Sequence, residues 1–221
     1  MEENRIPQLI QDGVIDEKGW PKRQETLQFA PGMPPLHTSR LAWNNAGAPE
    51  GQPAVFQLVT RNNEAKDLAE VIVGNSFRDA EPAAFKLYPD ILPIGPLVAD
   101  LQLKKPVLAH GAVACFVSHC GWNSTLEGVR NGVPFLCWPY FTDQFQNESY
   151  ICNVWRTGLA VAPGADGVVT KEELSGKVER VLGDDGIRER VGALRDAARR
   201  SIAEGGSSHQ NLMKFVELLK K

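Results

Sequence analysis

The sequence predicts an α/β chain with parallel sheets, and three observations carry that reading. From about residue 71 onward, short apolar runs alternate with helical stretches; Gly, Asn or Pro closes each run; and the last quarter repeats apolar residues at helical spacing in three separate segments. Strands that alternate with helices need crossover connections, which set neighbouring strands parallel.

The elements follow in order. Residues 1 to about 70 are rich in Pro, Gly, Asn and Gln, and Pro31-Gly32-Met33-Pro34-Pro35 removes backbone donors and fixes backbone angles, so this stretch reads as a long connecting region without regular structure. Val71-Ile72-Val73, closed by Gly74-Asn75, predicts a strand; a helix is expected from about Glu81 to Leu87, and extended chain over Ile91 to Leu97. Ala114-Cys115-Phe116-Val117 predicts the next strand, Ser124-Thr125-Leu126-Glu127 opens a helix and Asn131-Gly132 closes it. Pro134 to Trp138 is a further strand, a helix runs from about Asp143 to Trp155, and Leu159-Ala160-Val161 is extended again. Thr170 and Glu173 have capping-box spacing ahead of Leu174, Val178, Val181 and Leu182. Ile187, Val191, Leu194, Ala198 and Ile202 share one helical face up to Gly205-Gly206, and Ser207 with Gln210 caps a last helix bearing Leu212, Phe215, Val216 and Leu219.

Composition excludes several classes of function. The chain has 221 residues and a formal charge of −3, which lacks the basic excess of a nucleic-acid binder. With 43% hydrophobic and 23% charged residues it has the makings of a packed core, so a disordered chain is not expected. The acidic start Met1-Glu2-Glu3-Asn4-Arg5 has no apolar signal-peptide region, and no run approaches the roughly 18 apolar residues of a membrane span, so a cytoplasmic protein without an integral membrane segment is expected. Cys115, Cys120, Cys137 and Cys152 show no C-x-x-C spacing and read as buried free thiols.

Chemistry concentrates at His119-Cys120-Gly121-Trp122-Asn123-Ser124, where a buried strand meets a helix N-terminus. Backbone N–H groups there lack helical partners and the helix dipole adds partial positive charge, so an anionic phosphate is favoured. The dinucleotide fingerprint G-x-G-x-x-G and the P-loop are both absent. The stretch from Val107 to Asn147 closely resembles the donor-binding signature of plant family-1 UDP-glycosyltransferases: His-Cys-Gly-Trp-Asn-Ser, Glu127, Gly132-Val133-Pro134, Trp138-Pro139 and Asp143-Gln144 are all in register. Pro31 to Leu36, Asn75-Ser76-Phe77 and Ile94-Gly95-Pro96-Leu97 are similar to the later part of that family's N-terminal domain.

The resemblance implies a GT-B-like fold of Rossmann-type parallel sheets, with an incomplete N-terminal lobe at residues 1–97, a remnant of the acceptor-side domain, and a partial UDP-sugar-binding lobe at 98–221. It implies hexosyl transfer, leaning to glucosyl, from a UDP-sugar to a small lipophilic acceptor, with the UDP-sugar as substrate and no metal or other cofactor. His119, Trp122, Asn123 and Ser124 would hold the diphosphate, Glu127 the ribose hydroxyls, and Asp143 with Gln144 the sugar hydroxyls.

Each of these residues also has a structural alternative. Glu127 stands at capping-box spacing from Ser124, Asp143 could be a helix N-cap, His119 a core histidine, and Trp122 and Trp138 packing.

The family's uracil-stacking Trp and nearby Gln would fall at Leu101 and Lys104, and only nine residues separate Leu97 from Val107 where the family has a linker and several strands. The general-base His and its Asp partner have no counterpart, so no residue is assigned the catalytic base. These gaps suggest a truncated, internally deleted relative, and the alternative function is a noncatalytic chain that binds nucleotide weakly or pairs with a full-length homologue.

Overall fold

The computed structural model describes residues 5–97 and 107–220, so Leu101 and Lys104 lie outside the described residues. The C-terminal half is built on three parallel strands, β5 (Phe116–Ser118), β6 (Phe135–Cys137) and β7 (Gly158–Ala160), with β6 in the centre. Phe116 lies opposite Phe135, and Phe135 opposite Gly158. All three residues of β6 are buried, which is why its sequence is an unbroken apolar run. Gly158 is needed beside it, because a Cβ there would stand 2.5 Å from the Phe135 carbonyl oxygen.

Helix α4 (Trp122–Asn131) leaves β5 with Thr125, Leu126, Gly128 and Val129 buried, while Asn123 and Glu127 face out. Gly132 ends it in the left-handed region at φ 68°, its N–H shared between the carbonyls of Gly128 and Val129. Helix α5 (Gln144–Ser149) runs on into a π turn over Tyr150–Val154. Helix α6 (Lys171–Gly183) precedes α7 (Asp185–Ile202), which lays Val191 and Ala198 across α4, and α8 (Ser207–Leu218) follows.

The strand, helix and strand expected over 71–97 are β3 (Ile72–Gly74), α3 (Pro82–Leu87) and β4 (Ile91–Pro93), with β3 and β4 parallel. This unit packs directly on the C-terminal half. Phe77 and Ala80 share a core cluster with Leu126, Phe135 and Val191, and the Trp155 indole donates to the Ala80 carbonyl at 2.8 Å.

The expectation for residues 1 to about 70 is corrected. They hold α1 (Ile6–Gln11), an antiparallel pair of β1 (Thr26–Leu27) with β2 (Leu36–His37), and a 14-residue helix, α2 (Gln52–Ala65). These elements enclose their own cluster of Ile6, Leu9, Val14, Ile15, Leu36, Leu41, Trp43 and Phe56. Proline at the first turn of α1 and of α2 starts both helices, because the donor it lacks has no partner there in any case.

Three capping expectations also change. Thr170 does accept from the Glu173 N–H at 3.2 Å, but the Glu173 carboxylate turns to the Ala162 N–H at 3.0 Å instead of completing a capping box. Gly206, not Ser207, stands at the start of α8 and makes no side-chain cap. Ser124 lies inside α4, which begins after Gly121, so Ser124 and Glu127 do not form a capping box.

Candidate functional site

Strand β5 delivers the chain to His119 and Cys120, and α4 starts at Trp122 with Gly121 as N-cap. The first intrahelical bond runs from the Thr125 N–H to the Gly121 carbonyl at 2.9 Å, so the preceding N–H groups of the first turn point out of the helix end without a helical acceptor. His119 is exposed, and its ring folds over Gly121 so closely that a Cβ there would collide with Nε2. Glycine thus leaves room for the imidazole that covers it, which an alanine would force to turn aside, and no unusual backbone angle is involved.

Asn123 and Glu127 are exposed and Ser124 is half-buried on the same end of α4. The Trp122 indole N–H donates to the Asn75 carbonyl at 2.6 Å, so this side chain joins α4 to the β3 unit. Trp122 thus takes the packing role, and the indole is spent.

The second half of the site comes from the turn before α5. Asp143 is exposed, and its carboxylate accepts from the Thr142 hydroxyl at 3.0 Å and from the Asn147 amide at 2.9 Å. It stands at the N-cap position of α5 but makes no side-chain cap. Gln144 is buried, and its Oε1 accepts from the N–H groups of Tyr140 and Phe141 at 3.1 Å each, which fixes the turn. Trp138 is 42% exposed and is not core packing.

The sequence reading missed Asn147. Its amide donates to the Cys120 carbonyl at 2.9 Å as well as to Asp143, so it connects the two halves. The signal was its position four residues after Asp143, one helical turn along.

Behind this edge lies a hollow of about 280 Å³ whose walls include Asn75, Glu81, Trp122, Asp143 and Tyr150. Burial pushes the Glu81 carboxyl above its ordinary range, opposed by the adjacent Ser76 hydroxyl. Burial also raises the Tyr150 phenol, with the Glu81 charge adding to the effect, and among the described residues the Tyr150 hydroxyl has no hydrogen-bond partner. All four cysteines are free; hydrogen bonding with Cys120 and Cys152, together with burial, holds the Cys137 thiol well up. Among the described residues no group of His, Cys, Asp and Glu could hold a metal ion, and no helix is long and apolar enough to cross a membrane.

Comparison with known proteins places these features in a family. Residues 87–197, half of the chain, match the family model described as UDP-glucoronosyl and UDP-glucosyl transferase. UDP-glycosyltransferase 83A1 of Arabidopsis thaliana is 33% identical across 97% of this chain and 64% of its own length. That alignment runs over 299 residues, so part of the relative's sequence within it has no counterpart in these 221. Phloretin 4'-O-glucosyltransferase of Malus domestica is 41% identical over 52% of this chain and 24% of its own length. The chain therefore spans less than two thirds of these relatives.

Among solved structures, Phytolacca americana UGT2 complexed with UDP-2fluoro-glucose and pterostilbene superposes with a TM-score of 0.85 at 21% identity, covering 97% of this chain and 66% of that one. That likeness shows the fold, a GT-B-like α/β architecture with parallel sheets of which this chain is a part. On the family match and the aligned relatives together, the chain belongs to the UDP-glucoronosyl and UDP-glucosyl transferase family.

Proposed function

We propose that this chain is the donor-binding part of a UDP-sugar-dependent transferase that moves a hexosyl group, with glucose favoured, to a small lipophilic acceptor. The observation that carries the reading is the meeting, at one edge, of the open N-terminus of α4 beside exposed His119 with the exposed carboxylate of Asp143.

On this reading His119, Ser124 and the N–H groups of Trp122 and Asn123 hold the diphosphate, and Glu127 takes two vicinal ribose hydroxyls as a double acceptor. Asp143 accepts from sugar hydroxyls while Gln144 donates through Nε2. Residues 98–221 form the UDP-sugar-binding unit and residues 1–97 the acceptor-side remnant. The acceptor hydroxyl oxygen attacks the anomeric carbon from the face opposite UDP as the carbon–oxygen bond to UDP breaks, and its proton passes to a base that a segment other than those assigned here must supply. Charge gathering on the departing diphosphate meets preorganised N–H donors, so the step uses no metal. The structural neighbour complexed with UDP-2fluoro-glucose and pterostilbene is in keeping with a small lipophilic acceptor. A cytosolic setting agrees with four unpaired thiols.

Calorimetric titration with UDP tests the reading: heat of binding is expected in the wild-type chain and at least tenfold weaker affinity in Glu127→Ala. Incubation with UDP-glucose and a panel of phenols and terpenoids tests transfer, and no glycoside above that of the Glu127→Ala control would sink the transferase assignment for this chain.

A further inference from the structure

Resting on that donor-site reading, we infer that Asn147 is the positioning residue of the site, its amide locking the loop that holds the diphosphate to the carboxylate that holds the sugar. Asn147 is 7% exposed, and a side-chain amide nitrogen carries two hydrogens. Both are spent: one goes to the Cys120 carbonyl and one to Asp143 Oδ2, each at 2.9 Å. No donor remains for a ligand, so Asn147 acts through the residues it holds.

The two points it holds are places where the backbone is least comfortable. Cys120 has φ 65° and Thr142 φ 41°, left-handed values that non-glycine residues adopt only when their surroundings impose them. Cys120 immediately precedes Gly121, the N-cap of α4, and Thr142 immediately precedes Asp143. The Cys120 N–H is held by Ser118 Oγ at 3.0 Å and the Thr142 N–H by the Asn45 carbonyl at 3.0 Å. Each turn thus has an anchor of its own, Ser118 nearby for one and the distant Asn45 for the other, and the side chain of Asn147 joins the two turns. Because the Asn147 N–H also bonds to the Asp143 carbonyl at 3.0 Å, the helical backbone sets the reach of the amide.

Losing the amide would leave the Cys120 carbonyl without this donor and the Asp143 carboxylate held only through Oδ1 by its neighbour Thr142. UDP alone would feel only the first loss; a UDP-sugar would feel both.

The test uses Asn147→Leu and the near-isosteric Asn147→Asp, each titrated calorimetrically with UDP and with UDP-glucose. Both variants are expected to bind UDP-glucose about tenfold more weakly and UDP about threefold more weakly. Asp143→Asn should weaken UDP-glucose binding severalfold in the wild-type background and less than twofold in Asn147→Leu, the non-additivity of groups that act together. An amide that merely supports the fold would lower the melting temperature and leave the ratio of UDP-glucose to UDP affinity unchanged, which overturns the inference. Should wild-type protein bind neither nucleotide, the donor-site reading itself fails. The tie is then judged by amide hydrogen exchange at Gly121 to Asn123, where faster exchange in Asn147→Leu supports it and unchanged exchange overturns it.

Discussion

The two hydrophobic clusters of this chain are assembled by different means. Around the β5–β6–β7 sheet, regular elements satisfy the backbone and the apolar residues recur at strand and helix periods. Around Trp43 the elements are short, and side chains do much of the work that a ladder would do. Asp16 accepts from the N–H groups of Lys18 and Trp20, Gln28 donates to the carbonyls of Ala30 and Met33, and Asn45 donates to those of Ser39 and Leu41. Trp43 itself is fully buried, packs edge-on against Phe56 with ring centroids 5.3 Å apart, and donates its indole N–H to the Gly19 carbonyl at 2.8 Å. A region with little sheet can be packed, provided that one large aromatic anchor and a set of polar side chains close it.

If that contrast is right, removing the anchor is the largest single perturbation available. Trp43→Ala is expected to cost about 3–5 kcal/mol, the usual range for deleting a buried aromatic. Hydrogen exchange should rise across Ile6 to Phe56 well before it rises in α7. Uniform acceleration through both regions would show instead that they unfold as one unit.

A smaller test compares two glycines that each lie beneath a phenylalanine ring. At Gly19 an added Cβ would stand 2.5 Å from Phe56 Cδ2, and the backbone is left-handed at φ 84°; at Gly128 it would stand 2.5 Å from Phe135 Cε1, in ordinary helix. Gly19→Ala should cost about 3 kcal/mol, overpacking and left-handed strain together. Gly128→Ala gains roughly 1 kcal/mol of helix propensity against the same crowding, for a net loss of about 1 kcal/mol. Urea midpoints measure both, and a difference of only about 1 kcal/mol, the helix-propensity gain at Gly128 alone, would mean that backbone strain at Gly19 contributes nothing.

The same contrast explains what could be read beforehand. Strands β3 to β7 and helices α3 to α8 follow from residues such as Phe135-Leu136-Cys137 and Ile187, Val191 and Ala198, because burial imposes a period on them. The N-terminal cluster was illegible because Trp43 belongs to no α-helix or strand, only the short set Val55, Phe56 and Val59 marks the inner face of α2, and the proline-rich segment Pro31 to Pro35 suggested open chain while Met33 is in fact buried. In the candidate site the backbone mouth of α4 was legible from strand-to-helix punctuation. The tie through Asn147, the turn held by Gln144 and the indole bond to Asn75 were not, because each joins segments whose approach only the folded chain fixes.

A gentler probe is pH, acting where the β3 unit meets the C-terminal half. Burial raises the Glu81 carboxyl above its ordinary 4.5, so the folded state holds this proton more tightly than the unfolded state. The resulting stability is fully present below about pH 4.5 and is lost as pH rises through the raised folded value. Comparing urea midpoints at pH 5 and pH 7, wild type should lose more on going to pH 7 than Glu81→Gln, whose neutral amide has no such proton to give up. Parallel changes in the two proteins would place the raised carboxyl elsewhere; Glu148, also raised by burial and opposed by Arg40, is the next to substitute.

The smallest effect on stability, and the most informative for the site, is expected at Gly121. Its φ of −60° and ψ of 143° suit any residue, so Gly121→Ala loses only the modest advantage of glycine over alanine at an N-cap, about 0.5–1 kcal/mol. What an alanine methyl cannot do is share space with His119 Nε2, and the exposed imidazole is free to turn away because it is the mobile end of a side chain, unlike the ring of Phe135 over Gly128. Stability and ligand binding should therefore separate at this position, with the melting temperature falling only slightly while UDP affinity drops about three- to tenfold as the imidazole leaves the diphosphate. Unchanged UDP affinity in a folded Gly121→Ala variant would remove His119 from the diphosphate site and leave that task to the N–H groups of α4 alone.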